Sequence, residues 1–123
     1  MNGDRIVADT SLIINLFNGV EEVRELITGR NLFVSIISEI EVLSHSKLTP
    51  ADSRLLKDFL SKCYIVDIEP SIKDITIQIR VKYKTKLPDA VIAATAIYFD
   101  LPLFTMDTGF KTIIDLQAVV LSL

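Results

Sequence analysis

Five short apolar runs punctuate the chain, at residues 5–8, 32–34, 64–67, 103–105 and 119–121, and none is long enough to be a helix. The segments between them carry apolar residues mostly at helical spacing. Strands separated by helices are joined by crossovers, not by tight hairpins, so they run parallel. A parallel sheet buries both of its faces under helices. The pattern therefore predicts an α/β fold with a central parallel sheet of about five strands, flanked by helices on both faces. With 123 residues and no linker, repeat or low-complexity tract, residues 1–123 read as one domain.

The helices announce themselves by caps and breakers. Thr10 or Ser11 can cap a helix over residues 12–17 that Asn18-Gly19 stops, and residues 20–28 place Val20, Val23, Leu26 and Ile27 on one side before Gly29. Ser35 precedes a helix over 36–44 with Ile36, Ile40 and Leu43 on one face. Thr49, Pro50 and Asp52 mark the start of a helix over 50–62. Residues 70–83 carry two periods at once. Ile72, Ile75 and Ile79 fit a helix, the preferred reading, while Ile75, Ile77, Ile79 and Val81 alternate as a strand would. Leu87-Pro88 is expected to break the chain before an alanine-rich helix over 89–99.

Half of the residues are apolar, which excludes a disordered chain. Lysine and arginine number 13 against 16 acids, a net charge of −3 that argues against a passive, polybasic nucleic-acid binder. Cys63 is the single cysteine and can form no internal disulfide. No apolar window approaches a membrane span and no signal-peptide pattern opens the chain, so a cytoplasmic protein without a membrane partner is expected.

In parallel α/β sheets, functional residues collect beyond the carboxyl ends of the strands. Asp9 follows the first strand directly, and Asp107 lies just past the fourth. Asp67 ends the third strand but reads as a solvated turn residue. Asp89 opens the alanine-rich helix, whose small side chains let it lie close to the sheet. Glu39 and Glu41 flank the apolar face of the third helix on opposite sides, and periodicity does not choose between them. Carboxylates that converge without a basic partner repel one another unless a cation is bound. Hard oxygen donors without paired His or Cys suit Mg²⁺ or Mn²⁺, which can orient water and stabilise charge on a phosphoryl oxygen. Phosphodiester hydrolysis is the natural chemistry.

The stretches Val7-Ala8-Asp9-Thr10-Ser11, residues 34–42 from Val34 to Val42, residues 87–96 beginning Leu87-Pro88-Asp89-Ala90, and residues 104–110 containing Thr105-Met106-Asp107 are similar to four signature blocks of PIN-domain ribonucleases. Within that family the sequence most resembles the VapC-type toxins. The resemblance runs through nearly the whole chain in order and spacing. It implies a PIN-like nuclease domain in which Asp9, Glu41, Asp89 and Asp107 hold Mg²⁺ or Mn²⁺, and it selects Glu41 over Glu39. It also implies that the hydroxyls of Thr10 and Thr105 support neighbouring carboxylates. An RNA substrate, products with 3′-hydroxyl and 5′-phosphate ends, a small antitoxin partner and a homodimer formed through first helices are further implications. Met106 departs from the family, which more often has Arg or another polar residue there.

Arg80, Lys82, Lys84 and Lys86 lie within seven positions directly before Leu87-Pro88-Asp89. They are candidate phosphate contacts to an RNA backbone, or simply a solvated surface. Tyr83 among them could stack on a base or pack internally. His45 is the single histidine, read as a surface residue, so no Ser/His/Asp triad built on it is expected. A signalling receiver would need an acid beside Asp9 and a Lys after the fifth strand, and a haloacid-dehalogenase-like phosphatase would need Asp at Ser11. A PIN-like module that binds RNA or a partner without catalysis is the alternative function.

Overall fold

Alternation within a single strand explains why both faces of the sheet are covered. In β1 (Arg5–Ala8), Ile6 and Ala8 enter one core and Val7 enters the other, as the two-residue period of a strand requires. In the computed structural model, which describes residues 4–123, β1 pairs with β2 (Asn31–Ser35) on one side and β4 (Leu103–Thr105) on the other. The edges are β3 (Tyr64–Val66), beside β2, and β5 (Ala118–Val120), beside β4. All four pairings are parallel and the order is β3-β2-β1-β4-β5. Strand order therefore reverses at β1, and the gap between β1 and β4 is the place where such a sheet opens a crevice at its carboxyl end.

On one face lie α1 (Thr10–Phe17), α2 (Glu21–Ile27), α3 (Ile36–Leu43) and α4 (Pro50–Ser61), which bury Leu12, Val23, Val42, Leu56 and Leu60 with Ile6, Val34 and Phe104. On the other face α5 (Pro70–Lys82) and α6 (Leu87–Phe99) pack against each other and against Val7, Leu103 and Phe110. Residues 90–96 of α6 are all buried, so this helix is covered on every side. Asp107 caps a 3₁₀ turn, Thr108–Thr112, that leads towards β5.

Three local expectations are revised, and the helix preferred for residues 70–83 is borne out. The cap of α1 is Asp9 itself: its Oδ1 accepts from the Leu12 backbone N–H at 2.9 Å, and the helix starts at Thr10. Pro88 does not break the chain but sits in the first turn of α6, where its missing N–H has no helical partner to lose. The ambiguous segment is the helix α5; Ile72, Thr76 and Ile79 face inward while Ile77 and Val81 face water. In α3 the inward residues are Ser38 and Val42, and Ile40 is 57% exposed. That rotation turns Ser38 inward and leaves Glu41, one turn on, exposed at the margin of the same side.

Candidate active site

The site is built on the ends of β1 and β4. Asp9 is buried, at 3% exposure, and as an uncompensated charge it would be costly there. Its carboxylate is instead held by three donors. Oδ1 accepts from Leu12 N–H and from the Ser11 hydroxyl (2.8 Å), and Oδ2 accepts from the Thr105 hydroxyl at 2.5 Å. Each hydroxyl also accepts a backbone N–H from beyond β4, Thr105 from Asp107 (2.9 Å) and Ser11 from Met106 (3.1 Å). Two side chains thus stitch the rims of β1 and β4 together across the switch point. Among the described residues no buried side-chain nitrogen or oxygen lacks a partner.

Asp107 stands beyond β4, exposed, and its Oδ1 accepts from Gly109 N–H at 2.8 Å. Glu41 comes from α3 and is reached across the rim by Thr10, whose hydroxyl donates to Oε1 at 2.5 Å and lies 3.0 Å from Ser38 Oγ. Asp89, in the first turn of α6, is half-buried. Four elements therefore bring one acid each. Glu39 turns instead towards a separate depression with Leu43, Lys57 and Leu60.

The acids feel one another. Burial raises the Asp89 carboxyl above its ordinary range, and the charges of Asp107, Glu41 and Asp9 raise it further, while Lys86 works against them. Burial also raises Asp9, with a smaller push from Asp107, against the lowering effect of the bonds from Thr105, Leu12 and Ser11. The ion pairs Arg24 with Glu21 and Lys62 with Asp58 involve none of the four acids. An all-carboxylate donor set with mutual repulsion and no ion-paired base fits a hard divalent cation. As the side chains stand, no three His, Cys, Asp or Glu among the described residues converge closely enough to enclose one.

The basic run divides. Lys84 and Lys86 line a cleft of about 240 Å³ together with Asp89, Asp107 and Gly109. Lys82 lines a different depression, beside Ile79 and Asp115, with its ammonium 5.4 Å from the Tyr83 ring centre. Arg80 Nε donates to the Thr85 carbonyl at 3.4 Å. Tyr83 is half-buried and its hydroxyl accepts from Ile114 N–H at 3.2 Å, so its ring is a strut of this region. Met106 is half-buried against the α1–α4 core, and what it offers the rim is its backbone N–H. His45 is exposed, and its Nδ1 accepts from the Lys47 N–H at 3.4 Å.

The sequence pattern offers Ser11 only as a helix cap and does not single out Ser38. A serine two residues after a strand-end acid, placed to bond back to it, was the available signal for Ser11. Ser38 carries none, because only the rotation of α3 brings it to Thr10.

The fold is that of an α/β protein with a doubly covered parallel sheet, and Asp9 and Asp107 stand at its switch point with Asp89 and Glu41 close enough to act on them electrostatically. The PIN domain family profile matches residues 6–115, and the chain belongs to that family, one of phosphodiester-hydrolysing nucleases. A toxin–antitoxin complex from Klebsiella pneumoniae contains a similar chain, with 30% identity, coverage of 94% of this chain and 96% of that one, and a TM-score of 0.82. The fold is also similar to VapBC2 from Rickettsia felis bound to a DNA fragment from its promoter (20% identity, 96% and 99% coverage, TM-score 0.80). A third likeness is to DNA-bound VapBC from Salmonella typhimurium (23% identity, 94% and 97% coverage, TM-score 0.79). Curated protein sequences give no significant match. Among the described residues, no helix is long and apolar enough to cross a membrane.

Proposed function

We propose that this chain is a metal-dependent endoribonuclease, the VapC-type toxin of a toxin–antitoxin pair. The reading is supported by the PIN family match over residues 6–115 together with one carboxylate on each of four separate elements, Asp9, Glu41, Asp89 and Asp107, of which three act electrostatically on the fourth. Asp9, Glu41, Asp89 and Asp107 would hold Mg²⁺ or Mn²⁺, which when bound polarises the scissile phosphate and lowers the pKa of water.

The chain's own contribution is preorganisation. Ser11 and Thr105 fix both oxygens of Asp9, so that carboxylate does not need to reorient when substrate arrives. Thr10 holds Glu41, an exposed residue of α3, at the rim, and Gly109 N–H orients Asp107. The in-line attack of water on phosphorus would break the bond to the 3′ oxygen, leaving a 3′-hydroxyl and a 5′-phosphate. The partner in this reading is a small antitoxin, supported by the toxin–antitoxin complex from Klebsiella pneumoniae; a homodimer and a cytoplasmic setting complete it.

Incubation of the purified protein with end-labelled RNA tests the reading. Cleavage with Mn²⁺ or Mg²⁺, arrest by EDTA and 5′-phosphate product ends are expected. A protein that leaves RNA intact in both ions contradicts it.

A further inference from the structure

The loop between α5 and α6 carries two lysines to the acidic rim and is held there by bonds that the nuclease reading does not use. Tyr83 leaves α5 with extended backbone, and Thr85 N–H returns to the Tyr83 carbonyl at 2.8 Å, making a three-residue turn with Lys84 at its centre. The turn is pinned from both sides. Arg80 Nε donates to the Thr85 carbonyl, and Ile114 N–H donates to the Tyr83 hydroxyl, tying the loop to the segment that follows the 3₁₀ turn. Lys86 is then fixed as the N-cap residue of α6, its carbonyl accepting from Ala90 N–H at 2.9 Å.

The cleft beside this loop is lined by Lys84 and Lys86 together with Asp89, Asp107, Gly109 and Thr112. Both lysines are exposed, and neither forms an ion pair among the described residues. Two lysines lining a cleft that also holds carboxylates have a clear use on a polyanionic substrate. The acids, with their ion, act on one phosphate, and the neighbouring phosphates still carry charge that would be repelled by the rim.

We infer that Lys84 and Lys86 bind the RNA phosphate adjacent to the scissile one, and that Arg80 and Tyr83 are positioning residues for this loop and make no RNA contact themselves. The inference rests on the nuclease reading for the identity of the polyanion. It divides a four-residue basic run by geometry: Lys84 and Lys86 line the cleft with the acids, and Arg80, itself exposed, bonds to a carbonyl of its own loop.

Lysine contacts to phosphate act through charge, so the double variant K84Q/K86Q should raise KM for a single-stranded RNA by roughly tenfold. The dependence of RNA affinity on salt should flatten, with the slope of log K against log salt reduced by about 1.4 for two lost contacts to a single strand. K84R/K86R should restore the slope, and K57Q/K73Q, which removes the same charge from α4 and α5, should leave KM and slope unchanged. An unaltered slope in K84Q/K86Q, or an equal change in K57Q/K73Q, overturns the inference. Affinity is read by fluorescence anisotropy independently of cleavage. A protein that cleaves no RNA yet loses affinity in K84Q/K86Q therefore sinks the nuclease reading and retains the lysine contacts, and the converse result does the opposite.

Discussion

The hydroxyl of Thr105 donates to Oδ2 of Asp9 at 2.5 Å, joining the end of β4 to the end of β1 over a separation of 96 residues. The same oxygen of Thr105 accepts the N–H of Asp107. One buried side chain therefore fixes a carboxylate and the backbone that carries a second one.

Removing that hydroxyl strands two polar groups at once. Thr105→Val keeps the side-chain shape but leaves the Asp107 N–H without this acceptor and Asp9 with one donor fewer, a loss of about 1–3 kcal/mol. Thermal denaturation should show a fall of several degrees, roughly 5–10 °C, while Thr105→Ser, which keeps the oxygen, stays close to the parent. A Thr105→Val melting point equal to the parent's would mean that the bond carries no net stability.

Asp89 should make the metal-free protein less stable as it ionises. Its carboxyl lies above the ordinary aspartate value of about 3.9 because of burial and of the charges on Asp107, Glu41 and Asp9. A raised folded-state value means that stability present below about pH 3.9 is lost as pH climbs through the higher folded value. In EDTA, Asp89→Asn should therefore melt above the parent at neutral pH, and the gap should close under acid conditions. A variant that melts lower than the parent at neutral pH contradicts this sign.

Gly109 leaves room for Asp107. A Cβ at that position would stand 3.1 Å from Asp107 Oδ1, closer than such contacts ordinarily come, so the carboxylate would have to shift by a few tenths of an ångström. Gly109→Ala should weaken Mn²⁺ binding by roughly tenfold with little change in melting temperature. Affinity equal to the parent's would show that Asp107 does not need its present orientation.

Burial pushes the Cys63 thiol up to about 11, and its sulfur lies 3.5 Å from the Phe59 carbonyl. The thiolate fraction at neutral pH is therefore small, and a thiol-specific chromogenic reagent should react slowly with the native chain and quickly once guanidinium unfolds it. Equal rates in the two states would place Cys63 at the surface.

Most of the architecture could be read from the sequence because it rests on periodicity, which survives in a single chain. The β1 run and the alanine-rich stretch after Asp89 have one good interpretation each, and the carboxyl-end rule then put Asp9, Asp107 and Asp89 on one rim. What periodicity could not supply was rotation and hydrogen-bond direction. Asp9, Thr10 and Ser11 are all competent helix caps, and only the backbone of α1 shows that Asp9 takes the role while Ser11 turns back to hold it. Residues 36–44 are apolar on more than one side, so the exposure of Ile40 and the inward place of Ser38 depended on what α3 packs against. The basic run looked uniform because charge alone does not say that Arg80 would bond to a carbonyl of its own loop.

The central claim is that Asp9, Glu41, Asp89 and Asp107 form one metal centre, and calorimetric titration of Mn²⁺ into the intact chain tests it most directly. A saturable binding heat in the parent that disappears in Asp9→Asn and in Asp107→Asn, with both variants still folded by circular dichroism, is the expected result. A parent that gives no heat, or variants that bind Mn²⁺ as the parent does, would contradict it.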